Sequence, residues 1–205
     1  MRQAHNLSCP GPTAPAVRAA AAGAWLLLWA VAGSAQVRYL DVERSMVTVH
    51  VPAPGASGWA AGHVIQAPLA EGSVDDTDTP HLAIVIDVRD LRVVDPERSA
   101  DERQRVRAQM VGPEGLDEAR FSRITYHSLT IDQLEGGEWL VRGELELHGR
   151  FLPLTVRTTR NGDRFTGTTT LSPAEFGMAP IGLAGAAAPA GHDVRVDFDV
   201  VLEKR

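Results

Sequence analysis

The chain has 205 residues, with 20 basic and 26 acidic side chains and a formal net charge of −6 at pH 7. That balance argues against nucleic acid or an anionic membrane surface as a partner, since both require a basic footprint. The single cysteine, Cys9, lies near the N-terminus, so the rest of the chain has no disulfide and no cysteine nucleophile.

Arg18 precedes an apolar run over residues 19–35 that ends in small residues, with Gly33 and Ala35 at −3 and −1 of an expected cut before Gln36. Residues 1–35 are therefore expected to be a secretory signal peptide, and residues 36–205 a single domain in the periplasm or outside the cell. The run is slightly shorter than the about 20 residues that span a bilayer. An uncleaved anchor and a wrongly assigned start codon stay open. Cleavage removes Arg2 and Arg18, which leaves 18 basic against 26 acidic residues and a formal charge of −8. No stable membrane insertion is expected after cleavage, and a homodimer is one state open to the domain.

Beyond the cut the sequence alternates between apolar and polar residues, the period of a strand with one buried face. "SMVTVHV" (45–51) puts Val47, Val49 and Val51 on one face. The segment "EGSVDDTDTP", which carries Asp75 and Asp76, is expected to be a solvated polar loop. "HLAIVIDVRDLRVV" (81–94) places Leu82, Ile84, Ile86 and Val88 together. Residues 95–112 have a helical composition, with Ser99 as N-cap, Glu102 completing a capping box, and Val106 and Met110 on one side. "EGLDEARFSRI" follows and is expected to begin with a further turn. "EWLVRGELELHG" sets Trp139, Val141, Gly143, Leu145 and Leu147 against Arg142, Glu144, Glu146 and His148. After the turn pair Asn161-Gly162, "DRFTGTTTL" (163–171) is rich in β-branched threonine. A small-residue loop (182–192) leads to "DVRVDFDVVLE", in which Val194, Val196, Phe198, Val200 and Leu202 face inward. The expected fold is all-β: an antiparallel closed β-barrel of about eight strands with one short helix.

No chemical motif stands out. Six histidines follow the expected cut: His50, His63, His81, His127, His148 and His192. They show no metal-ligand spacing, so no metal is expected. No nucleophile elbow or phosphate-binding glycine loop is present. An enzyme would have to bring two of His63, His127 and His148, or one of them and a carboxylate, into a shared cleft. Small residues at positions read as inward (Gly143, Gly167, Ser128 and Ala83) stand among Trp139, Phe198, Tyr126 and Val196. Their mixture leaves two readings open, a hollow interior that holds an apolar chain and a filled one. A cavity below about 300 Å³ favours the filled form. His148-Gly149 is expected to be a turn, with the imidazole hydrogen-bonded to loop backbone.

Several segments together resemble the YceI-like family, exported lipocalin-like barrels associated with polyisoprenoid lipids. They are "YLDVERSMVTVHV", "SGWAAGH", "RVRAQM" with "LDEARFSRITYHS", "VRGELELHGRFLPLTV", "LSPAEFGM" and "HDVRVDFDVVLE". Ser122, Phe151, Leu152 and the run "AGAAAPAGHD" depart from the family pattern. The resemblance implies a non-enzymatic carrier or binding protein for an isoprenoid lipid or quinone, with no cofactor. The lipid-lining residues it implies are Val47, Val49, Val51, Trp139, Val141, Leu145, Val196, Phe198 and Val200. Trp59, His63 and Tyr126 are expected near an opening. A filled structural or interaction domain of the cell envelope is the alternative.

Overall fold

The computed structural model describes residues 36–52, 62–76, 80–178 and 193–204. The expected signal segment, Trp59 and the loop 182–192 lie outside the described residues. The strands are β1 (Gln36–Tyr39), β2 (Met46–Val51), β3 (His63–Pro68), β4 (Glu71–Asp76), β5 (His81–Asp87), β6 (Arg92–Val93), β7 (Arg123–Gln133), β8 (Glu138–Leu147), β9 (Arg150–Asn161), β10 (Arg164–Leu171) and β11 (Val194–Val201). Among the described residues one α-helix, α1, spans Ala100–Val111.

Among the described residues all the strands join in one antiparallel sheet of 11, in the order β1-β4-β5-β7-β8-β9-β10-β11-β2-β3-β6. The sheet curls into a half-barrel whose ends, β1 and β6, are not paired with each other. The expectation of a closed barrel of about eight strands is corrected on both counts. Two local causes account for the difference. "EGSVDD" is a strand, not a solvated loop: β4 pairs with both β1 and β5 despite its polarity. The apolar run 81–94 is two strands, broken by a 3₁₀ turn at Val88–Asp90. Asp87 caps that turn by accepting from the Arg89 backbone N–H at 2.9 Å. Side-chain hydrogen bonds from the Arg89 guanidinium also hold the Asp87 carboxyl down at about 2.

The break has a topological consequence. β5 lies between β4 and β7, whereas β6 pairs with β3 at the far end of the order. The chain therefore passes between the two ends of the sheet at several connections, among them Leu69–Ala70 between β3 and β4, and the 3₁₀ turn between β5 and β6. Ala70 N–H bonds to Val85 O (2.8 Å) and Val88 N–H to Ser122 O (2.9 Å), which fastens these two. Val88 is among the most deeply buried side chains.

Helix α1 begins as its sequence requires. The Ser99 side chain accepts from Glu102 N–H, and the Glu102 carboxylate accepts from Ser99 N–H at 2.8 Å. Met110 is buried and Val106 packs against the core. Arg107 donates to Leu91 O (2.8 Å) and Arg89 O (2.6 Å), so the polar side of the helix is tied to the β5–β6 crossing.

Hairpin turns set the register. His148 (φ 52°) and Gly149 (φ 71°) both adopt left-handed backbone between paired Leu147 and Arg150, the pattern of a two-residue type I′ turn. His148 Nδ1 lies 3.3 Å from Phe176 O, and its ring meets Phe121 edge-on at 4.8 Å. At the next hairpin Asn161 ends β9, and the turn itself is Gly162-Asp163, with Gly162 at φ 63°. β10 pairs with β9 only from Arg157 to Asn161, so Pro153 needs no N–H toward that side. The 3₁₀ turn Pro173–Phe176 fills the resulting split, held by Arg150 donating to Glu175 O at 3.0 Å.

Replacing His148 by Ala removes the imidazole contact to Phe176 O and leaves a β-carbon residue in left-handed backbone. Chemical denaturation is expected to show a loss of about 0.5–1.5 kcal/mol. His148→Asn, which tolerates that backbone, is expected to lose less. Equal losses for the two variants would contradict the turn assignment.

Candidate functional site

The concave face of the sheet encloses a cavity of about 400 Å³. Strand alternation builds its wall. Val47, Val49 and Val51 come from β2, and Val196, Phe198 and Val200 from β11. Trp139, Val141 and Leu145 come from β8, and Tyr126 from β7. All the residues expected at the lipid chain and near an opening thus line the cavity, apart from Trp59, which is not described, and His63.

His63 does not line it. It is buried, with Nδ1 2.6 Å from Asp95 Oδ2. Asp95 also accepts from Val64 N–H at 2.7 Å and pairs with Arg98 at 3.2 Å. A histidine read as rim chemistry is a structural tie between β3 and the approach to α1. His127 is exposed on β7, and His148 sits in its turn against Phe121 and Phe176. The three histidines have separate neighbours. His50 lies on the outer face, 2.9 Å from Asp197, which also accepts from Thr168 and Arg195 at 2.8 Å each. Among the described residues no three His, Cys, Asp or Glu side chains are grouped to hold a metal ion. No helix among them is long and apolar enough to cross a membrane.

Of the two readings left open for the small residues, the glycines follow the one in which small residues match large neighbours. A β-carbon on Gly143 would lie 2.6 Å from the Tyr126 ring and 2.4 Å from His127 O. One on Gly167 would lie 2.3 Å from the Phe198 ring. Each glycine therefore accommodates a neighbouring aromatic ring, as glycines in strands do when another group approaches closely. Ser128 spends its hydroxyl accepting from Leu82 N–H at 2.7 Å. Ala83 belongs to the other face, paired with His127. The cavity persists because the sheet curls around it, not because glycine empties it.

Residues outside the expected set complete the wall. Ile84 and Ile86 continue the alternation of β5, and Leu154 and Val156 that of β9. Met110 of α1 and Leu116 close one side. The β9 pair was visible as alternation in "FLPLTV"; Met110 and Leu116 depend on where the helix lands. Four polar side chains join this apolar lining: Arg38, Thr158, Arg160 and Thr169. The Tyr126 hydroxyl is already used, donating toward Val141 O (3.3 Å) and Leu154 O (3.2 Å). Burial pushes that phenol up to about 12.

Fold and site together define an all-β protein whose curled antiparallel sheet wraps a single-sided apolar cavity. The chain belongs to the YceI-like family, whose YceI-like domain is matched over residues 39–202. No curated protein matches it. Among solved structures, Burkholderia cenocepacia BcnA is similar, with a TM-score of 0.62 and 17% identity over 80% of this chain and 99% of that one. A polyisoprenoid binding domain from Saccharophagus degradans, implicated in plant cell wall breakdown, gives a TM-score of 0.53 and 16% identity over 83% and 99%. At these identities the likeness concerns the fold.

Tyr126→Phe keeps the ring over Gly143 and loses the hydroxyl contacts, at a cost of about 1 kcal/mol. The neutral phenol's contribution to stability is intact below about pH 10, the ordinary tyrosine value, and is lost as pH rises through about 12. Ultraviolet titration of the folded protein should show a tyrosinate phase near 12 that Tyr126→Phe removes. Ionisation of Tyr126 at the ordinary value would contradict its burial.

Proposed function

We propose that this protein is an exported binding protein or carrier that holds the apolar chain of an isoprenoid-type lipid or quinone in its cavity, without catalysing a reaction. The observation that carries the proposal is the cavity of about 400 Å³ with an almost wholly apolar wall. Its volume exceeds the about 300 Å³ at which small-molecule sites begin, which disfavours the filled structural domain. Each methylene moved from water into such a wall gains about 0.8 kcal/mol, so a long tail binds without any charged or catalytic group.

The polyisoprenoid binding named for the Saccharophagus degradans domain supports this ligand class. Export rests on the basic residue, apolar run and small-residue end of residues 18–35. In the periplasm an apolar chain needs cover from water, and a protein cavity supplies it.

Mass spectrometry of an organic extract from protein purified without detergent is expected to show a co-purifying long-chain lipid in near-stoichiometric amount. A clean extract from folded protein expressed in a lipid-replete host would contradict the proposal.

A further inference from the structure

We propose that the end of the cavity formed by Thr158, Arg160 and Arg38 receives the anionic head group of a single-chain amphiphile, a carboxylate or a phosphate monoester. The inference rests on the reading that the cavity holds a lipid chain, and narrows that ligand to one with an acidic head.

Thr158 supplies the first observation. It lines the cavity and is 5% exposed, and its Oγ1 is buried with no hydrogen-bond partner. Its cross-strand neighbours are Trp139 on β8 and Gly167 on β10. The space over Gly167 is taken by the Phe198 ring. The protein thus surrounds this hydroxyl with apolar groups, although buried polar atoms in folded proteins are nearly always paired. The oxygen is covered by these groups, so a ligand oxygen would supply the missing partner once the Thr158 side chain turns it toward the cavity.

Charge supplies the second. Arg160 is two residues further along the same face of β9, about 7 Å away along the strand. It lines the cavity and is exposed, so the cavity reaches water there. Its guanidinium lies over the Phe165 ring at 5.4 Å, and its Nε donates to Gly162 O at 2.8 Å. Among the described residues no carboxylate is in ion-pair range of Arg160. Arg38 reaches the same hairpin, donating to Asp163 Oδ1 at 3.1 Å and Glu203 O at 3.3 Å. Arg38 is thus paired with Asp163, whereas Arg160 has no carboxylate partner among the described residues, in a chain whose net charge is −6. A guanidinium pairs well with both carboxylate and phosphate oxygens. The apolar wall beyond Thr158 takes the tail.

The test is displacement of a neutral fluorescent probe, 1-aminoanthracene, by two matched pairs: palmitic acid with hexadecanol, and farnesyl phosphate with farnesol. At least one acid is expected to compete about tenfold better than its alcohol. A larger preference in the farnesyl pair assigns phosphate, and in the palmitoyl pair carboxylate. Arg160→Met should abolish the preference without changing alcohol affinity, and Arg160→Lys should retain part of it. Thr158→Val, close in shape, should weaken acids and alcohols alike, because the hydroxyl serves any polar head. Equal competition by acids and alcohols, or a preference that survives Arg160→Met, overturns the head-group assignment alone. If neither member of either pair displaces the probe, the lipid-chain reading falls with it.

Discussion

One row of inward side chains crosses six neighbouring strands: Trp139, Thr158, Gly167, Phe198, Val47 and Ala67, each in register with the next. Thr158 and Gly167 separate its two large rings, Trp139 and Phe198. A slip of one residue at any strand would turn an apolar set toward water and a charged set inward. Everything else in the domain presupposes that register. The hairpin turns at His148-Gly149 and Gly162-Asp163 hold it between β8, β9 and β10.

An open sheet must still cover its concave face. Here the chain does so by crossing the gap itself, at Leu69–Ala70 and at the 3₁₀ turn after Asp87. The buried His63–Asp95 pair, with Arg98, fixes the approach to α1. The helix then contributes Met110 to the wall. Polar groups on this side are spent on anchoring, whereas Thr158, Arg160 and Arg38 lie toward the β9–β10 hairpin. That division separates structural from ligand-facing chemistry.

Much of this was legible as alternation. The inward faces of β2, β8 and β11, and the capping box of α1, follow from residue spacing alone, whereas their role as a lining came with the family resemblance. The strand β4 was not legible, because "EGSVDD" has only Gly72 and Val74 to place inward and Gly72 is covered by Leu40. Nor was the split of 81–94, which turns on the Asp87 cap within an otherwise continuous apolar run. His63 could not be placed because its partner Asp95 lies 32 residues away. Thr158 and Arg160 carry no signal in the sequence, because only the curl of the sheet brings them to the cavity.

The central claim is that the concave face binds one apolar chain, and direct occupancy tests it. Titration with a fluorescent polyene fatty acid, followed by energy transfer from Trp139 in the wall, should saturate at one probe per chain. Val196→Trp, which places an indole inside the cavity, should weaken that binding by about tenfold or more while the protein stays folded. Binding that does not saturate, or that is unchanged in folded Val196→Trp, would contradict it.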